Sequence, residues 1–468
     1  MAREDPAPEL LLPPDLSAGS FRASALVKAL LQGRDDVEIE VVTTQPNRYA
    51  SYTSEAPTME RGDRLVVHRI PLPPRRGGLS EQLRAFVSYA RGVRKVTRRQ
   101  QYNVVIATSS RLMTAALGAL VARSKRAPLY LDIRDIFVDT INGVFPPWLA
   151  ALIVRPFAVV ERMTIRSATI VNLVSSGFLD YFKTRYPNQR FTCHTNGIDE
   201  EFLRALPQPV KSDSSRLTVL YAGNIGDGQG LHHILPPLAK KLESRITFRL
   251  IGDGGRFKLL QEKLQEGGIK NVELFQPVPR PRLLEEYVNA DVLFLHLNDI
   301  EAFKKVLPSK LFEYGATGKP IWAGLRGHAA DFATAELDNI AIFEPCNVEE
   351  ASAALDKLTF QVTPRGHFLE KYDRRRDHES NGEGCAVDLS SSQIGERLKF
   401  SMSPPQTGGC RKRNAPAVNK PLNATNTRPA AALKISSRSS TTAKSWMASR
   451  LICESGIRAA SLTFPRLH

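Results

Sequence analysis

The segment Leu307–Pro320 (LPSKLFEYGATGKP) carries the residues in this chain that are best suited to chemistry. Ser309 and Lys310 fall in the first turn of a predicted short helix, and Glu313 follows soon after. The unpaired N–H groups and positive dipole end of such a turn bind phosphate, and the lysine adds a full charge. A nearby carboxylate accepts hydrogen bonds from two adjacent sugar hydroxyls, so the segment is suited to a nucleoside diphosphate sugar. The alternative is an ordinary amphipathic helix whose apolar side chains fill the core.

Two glycine-rich turns lie upstream of this helix, and each directly follows a predicted strand. The first is Tyr221–Leu231 (YAGNIGDGQGL), and the second is Gly252–Gly255 (GDGG). Glycine allows a backbone to approach a phosphate or a sugar closely, although a single turn of this kind is often only a turn. The carboxyl ends of parallel strands meet at one edge of a sheet, where ligands bind in open α/β folds. The two turns and the helix together therefore predict one shared site.

The elements that position these residues alternate between strand and helix. Short β-branched runs of the kind found in buried parallel sheets occur throughout the first half. The predicted strands are Val37–Thr44, Val104–Thr108, Leu129–Ile133 and Thr169–Val174. The predicted helices are Ala23–Leu31, Ser80–Arg99, Arg111–Arg123 and Trp148–Arg166. This is the rhythm of a doubly wound α/β domain.

The same rhythm restarts after the Pro- and Ser-rich stretch Ala205–Arg216, which we interpret as a hinge. Further strands are predicted at Leu217–Tyr221, Ile246–Ile251, Val272–Leu274, Val292–Leu295, Ile321–Ala323 and Ile340–Phe343. Helices are predicted between them at Gly230–Leu242, Arg256–Glu266 and Pro281–Ala290. We therefore predict one domain over residues 1–205 and a second over residues 206–376.

Residues 377–468 lose the apolar periodicity, and two interpretations of them are open. A disordered basic tail is typical of a composition rich in Ser, Thr, Pro, Arg and Lys. The other interpretation is out-of-frame translation. One back-translation of Asp377–Leu389, read one base later, encodes Ile-Met-Asn-Gln-Met-Ala-Lys-Asp-Val-Leu-Ser-Thr, an amphipathic helical sequence. The coding DNA decides between them, because a different codon choice refutes the frame shift.

Composition narrows the class of partner and the compartment. A net charge of +16 favours an anionic partner, either nucleic acid or a membrane surface. Aromatic and basic residues do not interleave as they do in nucleic-acid-binding proteins, so no nucleic-acid partner is expected. No apolar run is long enough to span a bilayer, and the start MAREDPAPEL lacks the apolar core of a signal peptide. The 5 cysteines show no metal-ligand spacing, which fits a reducing, cytoplasmic setting.

The predicted helix Ser80–Arg99 has one apolar and one basic stripe. The basic stripe comprises Arg84, Arg91, Lys95 and Arg98. Basic amphipathic helices lie on anionic membranes. The alternative is a helix that faces the core and presents a solvated basic surface. We expect contact with an anionic membrane, and hence a peripheral location at the inner face of the cell membrane.

In addition to these patterns, the chain resembles the retaining glycosyltransferases of the GT-B fold, glycosyltransferase family 4. Within that family it resembles the branch that builds bacterial surface polysaccharides with amino sugars. The second half carries the likeness in GNIGDGQGL, GDGG, NADVLFL, LPSKLFEYGATGKPIWAG and IFEPCN. The first half carries it in PPDLSAGSFR (Pro13–Arg22), LDIRDIFVD (Leu131–Asp139) and NGID (Asn196–Asp199). The resemblance implies two Rossmann-like doubly wound α/β domains that face a cleft.

The resemblance also implies a role for individual residues. Ser309 and Lys310 would bind the pyrophosphate of the donor, and Glu313 would bind its ribose hydroxyls. The other implied donor-binding residues lie in the glycine turns and in a loop of the first domain: Gly19, Ser20, Gly223, Asn224, Gly226, Gly252 and Asp253. Lys310 would be catalytic, together with Arg22 and Asp135 facing the cleft. Asp135 would orient the acceptor or, alternatively, only pair with Arg134.

Three positions depart from the pattern of the family. Lys305 stands where the family often has glutamate, and Asn224 and Gln229 stand where it often has arginine and lysine. The positive charge that stabilises the leaving diphosphate must then come chiefly from Lys310, with Lys304, Lys305 or Arg22 as further candidates. Helix amides and a lysine can do this without a metal, so neither a metal nor another cofactor is expected.

The reaction implied by the resemblance is the transfer of an N-acetylated hexosamine from UDP to a lipid-linked or saccharide acceptor. Retention would follow from attack on the leaving-group face, and the product would belong to surface polysaccharide or lipopolysaccharide. Two alternatives remain open. One is transfer to a soluble acceptor, and the other is a catalytically impaired homologue that lacks its closing C-terminal helix.

Overall fold

The computed structural model describes residues 18–33, 35–45, 56–73, 79–109, 111–136, 138, 147–203 and 216–374. Nearly all of the predicted hinge, the tail 377–468 and the first part of the PPDLSAGSFR motif therefore lie outside the described residues. Within the described ranges, no helix is long and apolar enough to cross a membrane.

The described strands of the first domain form two sheets rather than the single predicted one. In one sheet, β1 (Ile39–Thr44) runs parallel to β3 (Leu65–Ile70), and β2 (Met59–Arg61) runs antiparallel to β3. The other sheet consists of four parallel strands in chain order. They are β4 (Val105–Ser109), β5 (Leu129–Ile133), β6 (Ile170–Leu173) and β7 (Phe191–Cys193).

Three of these strands, β2, β3 and β7, are not predicted by the sequence patterns. His68 and Arg69 interrupt the apolar run of β3, while β2 and β7 span only 3 residues each. Burial explains why the others are recognisable, since every residue of β5 and β6 is buried. β1 and β4 are less buried, and Ile106 on β4 is 36% exposed. Among the described strands, β1 pairs with β3 alone and β4 with β5 alone, so each keeps an open edge.

Six α-helices are described in the first domain: the first four overlap their predicted ranges, whereas the last two, of 7 and 4 residues, have no predicted counterpart. They are α1 (Ala18–Gly33), α2 (Leu79–Thr97), α3 (Leu112–Lys125), α4 (Pro147–Ser167), α5 (Leu179–Arg185) and α6 (Glu200–Leu203). A short 3-10 helix, Ser176–Phe178, precedes α5.

The second domain is built on one six-stranded parallel sheet in the order β10-β9-β8-β11-β12-β13. Its strands are β8 (Leu217–Ala222), β9 (Ile246–Ile251), β10 (Val272–Phe275), β11 (Val292–His296), β12 (Ile321–Gly324) and β13 (Ile340–Phe343). From β8 the chain first builds outward in one direction, and from β11 it builds in the other. Ligands of doubly wound sheets bind at the carboxyl ends of the strands where this direction changes. The two glycine turns follow β8 and β9, at that edge.

Helices cover both faces of this sheet. They are α7 (Leu231–Lys241), α8 (Phe257–Glu266), α9 (Arg280–Asn289), α10 (Lys310–Thr317), α11 (His328–Glu336), α12 (Val348–Leu355) and α13 (Gly366–Lys371). Helix α10 lies in the core, with Phe312 and Tyr314 fully buried. Gly318, at φ 69°, ends it in the left-handed conformation that glycine adopts without strain. The two interpretations of LPSKLFEYGATGKP are therefore compatible, since one face of α10 fills the core and its first turn stays at the edge of the sheet.

The last described residues return from α13 to the end of the first domain. Asp373 forms a bridge with Ile198, and the Arg374 guanidinium pairs with Asp199. Phe368 and Tyr372 pack against Phe312 in the core of the second domain. The segment Tyr372–Arg374 thereby ties the second domain to the residues that precede the hinge.

Candidate functional site

A cavity of about 360 Å³ lies between the two domains and has the size of a small-molecule site. The first domain contributes Phe21, Arg134, Asp135 and Asn196, and the second domain contributes the first glycine turn and the start of α10. Seven of the predicted site residues line it: Asp135, Gly223, Asn224, Gly252, Ser309, Lys310 and Glu313. The fold thus brings together residues that lie far apart in sequence.

Lys310 lies directly against the first glycine turn. A Cβ atom on Gly223 would stand 2.3 Å from Cε and 2.8 Å from Nζ of Lys310, so a side chain there would displace the ammonium group. Gly223 also has φ +150°, which other residues rarely adopt. Ser309 is the residue that precedes α10, so the amides of the first turn and the Lys310 ammonium share one end of the cavity. This arrangement of an ammonium, a bare backbone turn and a helix N-terminus suits a phosphate group.

The two glycine turns pack against each other. A Cβ atom on Gly252 would lie 1.8 Å from the Gly223 carbonyl oxygen, which leaves no room for a side chain. Asp253 accepts a hydrogen bond from the amide of Gly254 at 2.7 Å, and it does not line the cavity. The second turn therefore supports the first from behind, and the expected contact of Asp253 with the donor has no counterpart in the cavity wall.

The two residues that replace the charged pair of the family bind each other. Asn224 donates from Nδ2 to Oε1 of Gln229 at 2.7 Å, and the Gly226 amide donates to the same oxygen at 3.2 Å. Both side chains line the cavity. Gly226 does not line it and instead helps to hold this pair. A neutral amide pair thus closes the turn where two cations would have faced the phosphates.

Glu313 lies at the cavity wall with its carboxylate held from two sides. Tyr287 donates from its hydroxyl to Oε2 at 2.8 Å, and Arg280 lies 3.4 Å from Oε1. Burial by itself would raise the pKa of Glu313, but Arg280 and Lys310 outweigh it and hold that pKa below its usual value. Glu313 is therefore ionised at neutral pH and is an acceptor of hydrogen bonds.

Arg22 does not face the cleft, which corrects the expectation from the sequence. Its side chain is buried, and its guanidinium binds both oxygens of Asp132 at 2.8 Å. It also donates to the carbonyl of His194 at 3.1 Å. Burial would raise the pKa of Asp132, but Arg22 together with two further donors lowers it well below the usual range. Arg22 thus neutralises a buried carboxylate inside the first domain, and its charge is not available to a diphosphate.

Gly19 and Ser20 lie in the first turn of α1, not in a loop, and neither lines the cavity. A Cβ atom on Gly19 would stand 2.0 Å from Nη1 of Arg134, a residue that does line the cavity. The absence of a side chain at Gly19 makes room for that guanidinium. Phe21, the next residue after Ser20, is the residue of this turn that reaches the cavity wall.

Asp135 lines the cavity, as predicted, from the first domain. The side chain is exposed at the cavity wall, and loss of hydration between the cavity walls raises the pKa of its carboxyl group to about 6, while the positive charge of Arg134 opposes this shift. A carboxylate with a pKa near neutrality can accept or release a proton under physiological conditions.

Lys304 and Lys305 do not reach the first glycine turn. The Lys304 ammonium pairs with Glu301 at 2.6 Å on the surface. The Lys305 ammonium lies 5.6 Å from the centre of the Tyr181 ring of the first domain, and its carbonyl accepts a hydrogen bond from Ser175. The residue that replaces the family glutamate thus contributes to the contact between the domains, and Lys310 is the lysine that lies at the turn.

Arg280 and Tyr287 are site residues that sequence patterns do not identify. Both belong to α9, whose apolar pattern marks only a covering helix. Arg280 lines the cavity, and Tyr287 is fully buried beneath Glu313. Their role depends on a contact with α10, which follows them by more than twenty residues. A basic residue at the start of a helix that follows a sheet strand is the only signal that the sequence gives for Arg280.

Two family models match the chain in succession. The model described as a glycosyl transferase 4-like domain matches residues 20–197, and the model described as glycosyl transferases group 1 matches residues 204–361. A curated relative, the putative colanic acid biosynthesis glycosyl transferase WcaI of Escherichia coli (strain K12), is 22% identical over 232 residues. That alignment covers 47% of this chain and 57% of the relative, so the chain spans little more than half of the relative's length.

Solved structures share the architecture at low identity. A sucrose-phosphate synthase from Thermosynechococcus elongatus is similar with a TM-score of 0.56 and 13% identity, over 80% of this chain and 92% of its own. An alpha,alpha-trehalose 6-phosphate synthase from Burkholderia multivorans is similar with a TM-score of 0.55 and 11% identity, over 85% of this chain and 98% of its own. Identities this low establish a common fold only.

Proposed function

This chain belongs to the glycosyltransferases of the GT-B fold, and we propose that it moves a sugar from a nucleoside diphosphate donor into a bacterial surface polysaccharide. The observation that carries the proposal is the Lys310 ammonium against the bare backbone of Gly223, with the ionised Glu313 on the same helix. The likeness to the colanic acid transferase supports the polysaccharide product.

The donor would lie along α10, and different residues would bind its diphosphate and its ribose. The diphosphate would bind at the amides that follow Ser309, at the Lys310 ammonium and at the Gly223 turn. The ribose would place two hydroxyls on the Glu313 carboxylate. Ser309, Lys310 and Glu313 all line the cavity, so one bound molecule can reach them together.

The chemical step that we propose keeps the configuration of the sugar. The bond between C1 and the β-phosphate oxygen breaks, and the acceptor hydroxyl oxygen bonds to C1 on the same face. The hydroxyl proton passes to the departing phosphate oxygen. Lys310 stabilises the charge that develops on that oxygen, and Asp135 orients the acceptor hydroxyl from the first domain. This step requires no protein nucleophile, and we propose that it requires no metal, so chelation with EDTA should leave the rate unchanged.

The substrates that we propose are UDP linked to an N-acetylated hexosamine and a lipid-linked acceptor. They follow from the resemblance to the branch that uses amino sugars. Transfer to a soluble saccharide is the alternative, and parallel assays with lipid-linked and free acceptors distinguish the two. A catalytically impaired homologue would bind the donor and neither hydrolyse nor transfer its sugar.

The test is a panel of UDP-, GDP- and ADP-sugars, with binding measured by calorimetry and transfer measured by NMR of the product anomer. We expect saturable binding of a UDP-sugar and a product with the anomeric configuration of the donor. Lys310→Ala should lower kcat by about 10²- to 10³-fold, which is typical for the loss of one group that stabilises transition-state charge. Lys304→Ala is the matched control, since Lys304 pairs with Glu301 on the surface, and it should stay within about twofold of the unmodified enzyme. An unchanged kcat in Lys310→Ala would refute the proposed role.

A further inference from the structure

Arg280 lies between the proposed donor site and two carboxylates at the end of the first domain. Its Nη2 atom lies 2.7 Å from Asp199, its Nε atom lies 2.8 Å from Glu201, and its Nη1 atom lies 3.4 Å from Glu313. Asp199 and Glu201 fall between the two matched regions, which end at residue 197 and begin at residue 204. The Arg280 guanidinium therefore links Glu313, which we propose binds the nucleotide, to two carboxylates at the junction of the domains.

Two aromatic rings of the first domain also contact this guanidinium. The Arg280 Cζ atom lies 4.7 Å from the ring centre of Phe21 on α1 and 4.8 Å from that of Phe202 on α6. Arginine stacks on aromatic faces in this way, and its planar fork keeps several hydrogen bonds in a fixed geometry. The side chain of Arg280 is only 12% exposed. Its orientation is therefore set by residues of the first domain, although its backbone belongs to the second domain.

The first-domain end of this network, Asp199, is also held by a second arginine. Arg374 pairs with Oδ1 of Asp199, whereas Arg280 pairs with Oδ2. Arg374 also donates to the carbonyl of Gly197 at 3.2 Å. The carboxylate that holds Arg280 is thus clamped between two guanidinium groups. A movement of the first domain relative to the second would move Asp199 and, through Arg280, the acceptor oxygens of Glu313.

Tyr287 and Arg280 contact different oxygens of the Glu313 carboxylate. Tyr287 binds one oxygen at 2.8 Å, while Arg280 lies at the longer distance of 3.4 Å from the other. That oxygen keeps room to accept from a ligand hydroxyl, since a carboxylate oxygen accepts more than one hydrogen bond. The charge of Arg280 is already balanced by three carboxylates, so Arg280 offers no net attraction to a phosphate.

From these contacts we propose that Arg280 is a positioning residue for nucleotide recognition. It holds the Glu313 carboxylate in the orientation that accepts hydrogen bonds from both ribose hydroxyls, and it does so only while Asp199 and Glu201 of the first domain keep their contacts with Arg280. Recognition of ribose is thereby coupled to the relative position of the two domains. This inference rests on the proposed function, because it assumes that Glu313 reads the ribose of UDP.

The experiment compares the binding of UDP and 2′-deoxy-UDP by calorimetry. Because a hydrogen bond to a charged group is worth about 1.5–3 kcal/mol, the unmodified protein should prefer UDP by roughly 10-fold or more. In Arg280→Ala and in Glu313→Gln the preference should fall to about twofold or less. Addition of Arg280→Ala to Glu313→Gln should change the preference no further, because Arg280 acts through Glu313.

Two further variants separate positioning from folding and from charge. Arg282 lies on the same helix, and its guanidinium pairs with Glu285 and Glu286 rather than with Glu313. The Arg282→Ala variant should therefore retain the full preference for UDP. Arg280→Lys keeps the charge and removes the planar fork, so it should fold like the unmodified protein and still lose most of the preference.

The outcomes distinguish a wrong nucleotide from a wrong role for Arg280. If the unmodified protein does not bind UDP, the proposed nucleotide is wrong and this inference fails with it. If the unmodified protein prefers UDP and folded Arg280→Lys and Arg280→Ala retain that preference, the inference alone is wrong. If Arg280→Ala lowers the affinity for UDP and for 2′-deoxy-UDP equally, Arg280 has only a structural role and the inference is also overturned.

Discussion

At the scale of single residues, the site depends on glycines that lack a side chain as much as on its charged side chains. Gly223 and Gly252 leave space for the Lys310 side chain and for each other, and neither position admits a Cβ atom without a clash. The charged residues then divide into two groups. Lys310 and Glu313 face the cavity, whereas Arg22 is paired with the buried carboxylate of Asp132. The identity of a charged residue therefore does not reveal its role until its partner is known.

The clash at Gly252 gives the first prediction. Gly252→Ala would force a methyl group to within 1.8 Å of the Gly223 carbonyl oxygen, so the first glycine turn must shift. We expect a loss of about 1–3 kcal/mol in the free energy of unfolding and a marked loss of donor affinity. Denaturant unfolding and calorimetry measure the two effects. Gly366→Ala is the matched control, because nothing lies within 4 Å of its added Cβ atom, and unchanged donor affinity in Gly252→Ala would contradict the packing of the two turns.

Asp135 gives a prediction of pH dependence. If its carboxylate form orients the acceptor, kcat/KM should fall as the pH decreases through about 6, because the surrounding protein raises its pKa to that value. Below this pKa the carboxyl group is protonated and neutral, so it no longer accepts a hydrogen bond from the acceptor hydroxyl as a carboxylate does. A pH–rate profile between about 5 and 8 measures this decline. Asp135→Asn cannot be ionised, so its residual rate should not show this limb. A limb that persists in Asp135→Asn would assign the titration to another group.

At the scale of elements, α2 exposes the predicted basic stripe. Arg84, Arg91, Lys95 and Arg98 are all exposed, and the neighbouring Leu83 is 64% exposed, while Val93 and Thr97 are buried. Apolar and basic side chains that both reach the surface are typical of a helix that lies on an anionic bilayer. Exposure is also compatible with a solvated surface helix, so membrane contact stays a prediction.

Vesicle sedimentation tests the membrane prediction. Replacement of Arg84, Arg91, Lys95 and Arg98 by Glu should reduce binding to vesicles that contain anionic lipid by at least about 10-fold, since each basic residue near the surface is worth about 1 kcal/mol. Binding to neutral vesicles should not change. The control replaces four exposed lysines of the second domain by Glu and produces the same net charge: Lys240, Lys258, Lys270 and Lys357. Equal losses in both variants would indicate a nonspecific effect of charge and contradict a docking role for α2.

At the scale of the whole molecule, the cavity depends on a contact between the domains. The 3-10 helix Ser176–Phe178 of the first domain packs against Lys305 and His328 of the second. Ser175 donates to the Lys305 carbonyl at 2.7 Å, and Ser176 lies 2.9 Å from Nε2 of His328. Because the residues proposed to bind the acceptor and the donor belong to different domains, this contact would set the distance across which the proposed transfer takes place.

Gly177 gives a prediction for this contact. A Cβ atom there would lie 2.5 Å from the Lys305 carbonyl oxygen and 2.9 Å from Cγ of His328, so Gly177→Ala should push the domains apart. We expect kcat/KM for transfer to fall by about 10-fold or more, because small displacements of reacting groups are costly. Donor affinity should stay within about twofold, since the proposed phosphate and ribose contacts lie in the second domain. Small-angle X-ray scattering should report a larger radius of gyration, and an unchanged transfer rate would show that the contact is dispensable.

The sequence by itself determined the α/β alternation, most helix positions and the group formed by the two glycine turns with Lys310 and Glu313. These features follow from local periodicity and from the geometry of parallel sheets, in which consecutive strand ends must share one edge. The resemblance to family 4 pointed to the same residues, and the fold and the glycosyltransferase class are confirmed.

Only the tertiary structure decided which charges are available to a ligand. Arg22 meets Asp132 across 110 residues, and Arg280 meets Glu313 across 33, so neither pairing leaves a periodic or local signal. The division of the described first-domain strands into two sheets is equally non-local, because it depends on which strand edges pair. Sequence patterns report on neighbours along the chain, whereas charge neutralisation and edge pairing depend on neighbours in space. LPSKLFEYGATGKP could therefore be identified as a phosphate-binding segment from its residues, but the partners that orient Glu313 and the loss of Arg22 as a candidate could not.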